Sequence, residues 1–197
     1  MKLLALLQHQ PVNEAFCKLL SFEDAIELQN ALGEEQIIPC TIEAKDGKGH
    51  ILTFNGVNPT TIRAYNLVKN KDAEQIFRIA AKNNNIEIVE LLLGVGINVN
   101  NVDDLGYTAL IWASQRGQAE IVRILIEHGA NVNAVGHNGV SALILASQYG
   151  RTETVRILLE NGANINIRDK AGTNALMRAS ANRRAEVIEL LKSYGAV

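Results

Sequence analysis

The sequence predicts a mainly α protein: a solenoid of antiparallel helix pairs over its C-terminal two thirds, preceded by a helical module containing a short β-hairpin. Three observations carry this reading. Sliding the chain by 33 residues places Leu110 on Leu143 and then Leu176, Ala113 on Ala146 and Ala179, and Gly129-Ala130 on Gly162-Ala163 and Gly195-Ala196. A fixed period of this kind marks a stack of repeated units. Within each period the apolar residues recur at helical spacing, whereas residues 1–71 show no echo at that offset and fall to a period of two between 37 and 54.

In the first full unit Thr108 is a good N-cap for a short helix through Arg116, with Ala109, Leu110 and Ala113 on one face and Gly117 as its stop. A second helix over 118–128 carries Ile121, Val122 and Leu125, widened by Ile124 and Ile126, and Gly129 supplies a left-handed end. The finger that follows, 130–139, contains Asn131-Val132-Asn133, which returns as Asn164-Ile165-Asn166. Isolated helices below roughly 12–15 residues are marginal in water, so each unit must bury its stripe against its neighbours. An earlier, degenerate unit aligns Ile76, Phe77, Ala80 and Ala81 with the first helix and puts Asn84 where Gly117 and Gly150 stand later. The last unit, with Arg178, Asn182, Arg183 and Arg184, reads as a polar cap, which places Leu143 in the centre of the stack and Leu176 near a frayed end.

The repeated residues resemble the ankyrin repeat over roughly 72–197, in four units at about 72–106, 107–139, 140–172 and 173–197, with 1–71 as a capping module. Where that family usually has Thr-Pro-Leu-His, this chain has Thr108-Ala109-Leu110-Ile111, Ser141-Ala142-Leu143-Ile144 and Asn174-Ala175-Leu176-Met177. The cap and the Leu survive; loss of the His puts the usual polar network between fingers in doubt. The resemblance implies a non-enzymatic module that binds a protein through the concave side. The residues carried over by register are Asp104, Leu105, Tyr107, Gln115 and Arg116 in one unit, His137, Asn138, Gln148 and Tyr149 in the next, and Lys170 in the third. Tyr107, Arg116 and Tyr149 are the expected anchors, because Tyr and Arg are enriched at hot spots. Trp112, which becomes Leu145 and then Arg178, is assigned to partial burial between helices.

Bulk properties exclude several classes. The chain of 197 residues is 47% apolar and 20% charged with a net charge of −2, which gives no electrostatic footprint for nucleic acid or a membrane surface. Cys17 and Cys40 are too few for a disulfide framework and lack metal-ligand spacing, so reduced thiols in a cytoplasmic monomer are expected. The apolar start Leu3-Leu4-Ala5-Leu6-Leu7 is cut short by Gln8, below the roughly 7–15 residues of a signal core, and reads as an amphipathic helix. No cofactor or metal is expected: His9, His50, His128 and His137 fall on different elements, and Asp46-Gly47-Lys48-Gly49 lacks the rest of a phosphate loop. Ser114, Ser147 and Ser180 follow the repeat Ala and read as packing residues. Asn and Ile make up about a fifth of the chain, a low-GC signature, and small ankyrin proteins of that kind resemble those of host-associated intracellular bacteria; the host cytosol would be the location only of a secreted effector of that kind.

Within 1–71, helices are expected over 11–20, over 21–32 from a Ser21-x-x-Asp24 start, and from Thr60 or Thr61 through Val68, with Asn55-Gly56 breaking the hairpin. This module is expected to pack on the first repeat, since no Gly/Ser/Pro-rich linker separates Asn70 from Phe77. Pro11, Leu19-Leu20-Ser21 and Asp24 resemble the start of an F-box, the module that docks on a ubiquitin-ligase adaptor, although a hairpin replaces its third helix. The alternative function is thus an adaptor or effector whose N-terminal module carries the activity while the repeats select a target.

Overall fold

The computed structural model describes residues 38–45, 51–57 and 73–196. The helices expected over 1–32 and 60–68, the F-box-like stretch and the junction near 71 lie outside the described residues. The chain divides into two compact units, residues 1–73 with 91–97 and residues 74–90 with 98–197. In the first, β1 (Ile38–Lys45) pairs antiparallel with β2 (Ile51–Val57), in continuous register from Thr41 opposite Asn55 to Lys45 opposite Ile51. The register shifts between Ile38 and Thr41, beside Pro39, which has no N–H to give the ladder. The second strand runs through Asn55-Gly56 to Val57, where the sequence predicted a break; pairing with β1 overrides the local turn preference of Asn-Gly.

The described residues form eight helices: α1 (Ala73–Lys82), α2 (Ile86–Gly94), α3 (Ala109–Arg116), α4 (Ala119–Glu127), α5 (Ala142–Gln148), α6 (Thr152–Glu160), α7 (Ala175–Ala181) and α8 (Ala185–Ser193). Helices α3, α5 and α7 pack side by side in one row and α4, α6 and α8 in a second, with α3 on α4, α5 on α6 and α7 on α8. The caps explain the starts. The hydroxyls of Thr108 and Ser141 accept the N–H groups of Ile111 and Ile144 at 3.3 Å, and the Asn174 carbonyl oxygen accepts that of Met177 at 2.9 Å. Ala113, Ala146 and Ala179 are fully buried, leaving room for the rows to close, and Ile121, Val122, Leu125, Val155 and Val187 fill the space between them.

Loss of the family His does not leave the units without polar ties. Asn100 Nδ2 donates to Gly129 O at 3.1 Å while its Oδ1 accepts Asn131 N at 2.8 Å; one unit on, Asn133 repeats both bonds with Gly162 O at 3.1 Å and Asn164 N at 2.7 Å. The first Asn of each Asn-x-Asn bonds the N–H of the second, at 3.0 Å for Asn98, 3.0 Å for Asn131 and 2.9 Å for Asn164, which holds the reaching side chain in place.

A second ladder ties the helix-to-helix turns. Arg151 Nε donates to Gln115 O at 3.3 Å and Arg184 Nε to Gln148 O at 3.1 Å, satisfying carbonyls at the ends of α3 and α5. The arginine stems cross so close to the preceding turns that a Cβ at Gly117 would lie 2.7 Å from Arg151 Cδ, and one at Gly150 2.8 Å from Arg184 Cδ. Gly117 and Gly150 also hold φ of +80° and +69°. Asn84 and Arg183 occupy the same left-handed position at +61° and +56°. Only the shorter Gln118 reaches the turn of Asn84, donating to Lys82 O at 3.4 Å, and among the described residues no arginine crosses Arg183. In the last unit, expected as a polar cap, Asn182, Arg183 and Arg184 are exposed, while Arg178 and Arg184 also reach back to Asp169 and Gln148 O; Met177 is exposed at 43%, although its register equivalents Ile111 and Ile144 are buried.

Two measurements of urea unfolding test this packing. Leu143→Ala should cost roughly 2–5 kcal/mol, because Leu143 is buried between neighbours, and half-buried Leu176→Ala should cost less; equal losses would contradict the packing at the stack end. Gly117→Ala should cost at least about 1 kcal/mol for the left-handed backbone alone, more once Arg151 is displaced, while Arg183→Ala should be nearly neutral.

Candidate interaction surface

Each finger is a tight turn closed by its own backbone. Asp103 N donates to Tyr107 O at 3.1 Å, Gly136 N to Val140 O at 3.0 Å and Asp169 N to Thr173 O at 3.0 Å. Adjacent tips are joined directly, His137 N to Leu105 O at 2.8 Å and Lys170 N to Asn138 O at 2.9 Å. Those bonds set Leu105 beside His137 and Asn138 beside Lys170.

The carboxylate at the base of the first and third fingers determines their shape. Asp103 Oδ1 accepts the N–H groups of Leu105 and Tyr107, both at 2.9 Å, and Oδ2 accepts the Trp112 indole N–H at 2.8 Å. Asp169 repeats this: Oδ1 accepts Ala171 N at 2.9 Å and Thr173 N at 3.0 Å, while Oδ2 takes the Thr173 hydroxyl at 2.6 Å and the Arg178 guanidinium. Burial opposes ionisation of Asp169, but the Arg178 and Thr173 bonds and the Arg178 charge outweigh it and hold the carboxyl well below the usual carboxylate range. Burial likewise opposes ionisation of Asp103, and the N–H groups of Tyr107, Trp112 and Leu105 with the charge of Arg78 keep its carboxyl low.

The middle finger is built differently. Gly136 stands in place of the Asp and Leu145 in place of the donor, so carboxylate and partner are lost together. The ring of Tyr107 covers Gly136 so closely that a Cβ there would sit 2.3 Å from Cε1. The Tyr107 hydroxyl accepts from Asn138 Nδ2 at 2.9 Å, and Asn138 Oδ1 accepts Val140 N at 3.2 Å. The ring also meets Trp112 edge-on, centroids 5.3 Å apart, and Lys82 Nζ lies 4.1 Å from the Trp112 centroid.

Tyr107 is therefore corrected from a contact residue to an internal strut: it is 8% exposed, and its hydroxyl and ring are both engaged within the stack. Its register equivalent Val140, also buried, was the signal available in the sequence. Trp112 is half-buried, and the sign in the sequence of its bond to Asp103 was the joint loss of the pair at Gly136 and Leu145. The remaining residues fall into two groups. At the finger tips Asp104, Leu105, His137, Asn138 and Lys170 are exposed, Leu105 at 55%. At the ends of α3 and α5, Arg116 and Tyr149 are exposed, Tyr149 at 40%, while Gln115 and Gln148 are half-buried and lend their carbonyls to Arg151 and Arg184. Reading by register missed Arg151, although Gln118, Arg151 and Arg184 recur at the 33-residue offset.

Ser114 and Ser147 are fully buried with hydroxyls that meet no partner among the described residues, as packing residues would be, whereas Ser180 is exposed. Among the described residues no three His, Cys, Asp or Glu side chains gather to hold a metal ion, and no helix is long and apolar enough to cross a membrane.

The finger carboxylate yields a pH dependence. A depressed folded-state pKa means that Asp169 contributes stability fully above its unfolded value near 3.9 and loses it as pH falls below that value. Asp169→Asn should therefore lower the thermal midpoint at neutral pH and flatten its fall below about pH 4; an unchanged acid profile would contradict the network.

A family model described as ankyrin repeats in three copies matches residues 49–135 and 133–197. No curated protein matches the sequence. With capped helix pairs repeating every 33 residues, fingers joined tip to tip and a family match over most of its length, the chain belongs to the ankyrin repeat family.

Proposed function

We propose that the protein binds a protein partner through the face formed by its finger tips and the C-terminal ends of α3 and α5, the concave side in ankyrin stacks. Ankyrin repeats are generally protein–protein interaction modules, and this face is where the chain spends side chains that the fold does not need. The observation that carries the reading is the contrast within the register: Thr108, Leu110, Ala113 and Tyr107 are buried, while Leu105, Arg116 and Tyr149 are exposed on elements whose backbone is locked by hydrogen bonds. A rigid mount lowers the ordering cost of binding, so exposed apolar and aromatic groups on it can act as anchors.

Capture of partners from a cell extract, by wild type and by Leu105→Ser with Tyr149→Ser, tests this. Both side chains are exposed, so the thermal midpoint should barely move while affinity for a captured partner falls by more than about tenfold. A folded double variant that retains every partner at wild-type affinity would remove this face.

A further inference from the structure

Charge is segregated across the helical unit. The second-row helices α2, α4, α6 and α8 carry eight glutamates against three basic side chains. Their arginines find carboxylates: Arg123 lies 2.5 Å from Glu153 and Arg156 3.7 Å from the same group. At the turns joining first-row to second-row helices the opposite holds. Arg116, Arg151, Arg183 and Arg184 are all exposed, and none forms an ion pair with a described carboxylate.

These four arginines form one strip. Arg151 crosses Gly117, next to Arg116, and Arg184 crosses Gly150, between Tyr149 and Arg151, while Arg183 precedes Arg184 in the chain. The Nε groups of Arg151 and Arg184 are tied to Gln115 O and Gln148 O, which pins both guanidinium groups to the backbone and leaves their Nη groups without a partner among the described residues. The side chains of Arg116 and Arg183 make no hydrogen bond to a described residue. The neighbouring acidic side chain, Glu186, accepts the Thr152 hydroxyl at 3.1 Å in a shallow groove beside Arg184. Within the strip Tyr149 supplies an exposed aromatic surface flanked by cations.

Building on the interaction reading above, we propose that this strip is the docking edge for an acidic protein segment, one that alternates carboxylates with apolar residues. The carboxylates pair with Arg116, Arg151, Arg183 and Arg184, whose fixed forks suit bidentate recognition, and an apolar residue covers Tyr149. The acidic second-row helices repel the same segment, so encounter is steered to the turns and weakens as salt screens it.

The probe is a short fluorescein-labelled peptide of alternating Glu and Leu, set against its Lys/Leu counterpart and a single-stranded oligonucleotide of equal charge. The Glu/Leu peptide should bind wild type in a salt-dependent manner, and Arg116→Glu with Arg183→Glu should weaken it by about tenfold or more, with circular dichroism unchanged because neither side chain supports the fold. No binding at low salt, equal binding by the charge-reversed variant, or tighter binding of the oligonucleotide would each overturn the proposal. A captured partner lost with Leu105→Ser and Tyr149→Ser but retained by Arg116→Glu with Arg183→Glu would overturn the acidic segment and leave the interaction module standing.

Discussion

Every part of the helical unit depends on the close approach of one helix pair to the next. No helix described here exceeds ten residues, so none would persist alone, and the apolar faces become buried only between neighbours. Ala113, Ala146 and Ala179 permit that approach because they carry no bulk where the rows meet, and Leu110 and Leu143 fill the gap beside them. Burial is the driving term, but it does not choose the register.

Register comes from polar reach across one period. Asn100 and Asn133 span from one finger to the next, and Arg151 and Arg184 span from one helix turn to the carbonyl of the preceding helix. Each bond satisfies a backbone group that the local helix or turn leaves open, so an error of even one residue would leave these carbonyls and N–H groups unpaired. The arginine reach also dictates glycine: where a stem crosses, the turn beneath has no room for a Cβ, and where none crosses, Asn84 or Arg183 is tolerated in the same left-handed backbone.

The fingers solve one problem in two ways. Two of them hold their turn on a carboxylate, half-buried at Asp103 and buried at Asp169, which takes a donor from the following helix nine residues on, Trp112 in one unit and Arg178 in the other. The middle one dispenses with both and borrows the Tyr107 ring of its neighbour as a floor. Tips held this firmly present Leu105, His137 and Lys170 at little ordering cost, which links the stability of the fold to the binding role proposed for this surface.

The sequence by itself determined the repeat, the helix pairs, their caps and stops, and the hairpin, because these depend on periodicity and on residues such as Thr108, Ser141 and Gly117 whose effect is local. It also placed Leu105, Arg116, Tyr149 and Lys170 on exposed positions, because register alone decides which side chains packing leaves unused. Tertiary structure decided the rest. Tyr107 looked like an anchor until the ring was seen over Gly136, 29 residues away, and the sequence did not show that exposed Arg184 also ties its Nε to Gln148 O. Such pairings join different units through the stack, and nothing in local spacing records which long side chain crosses which turn.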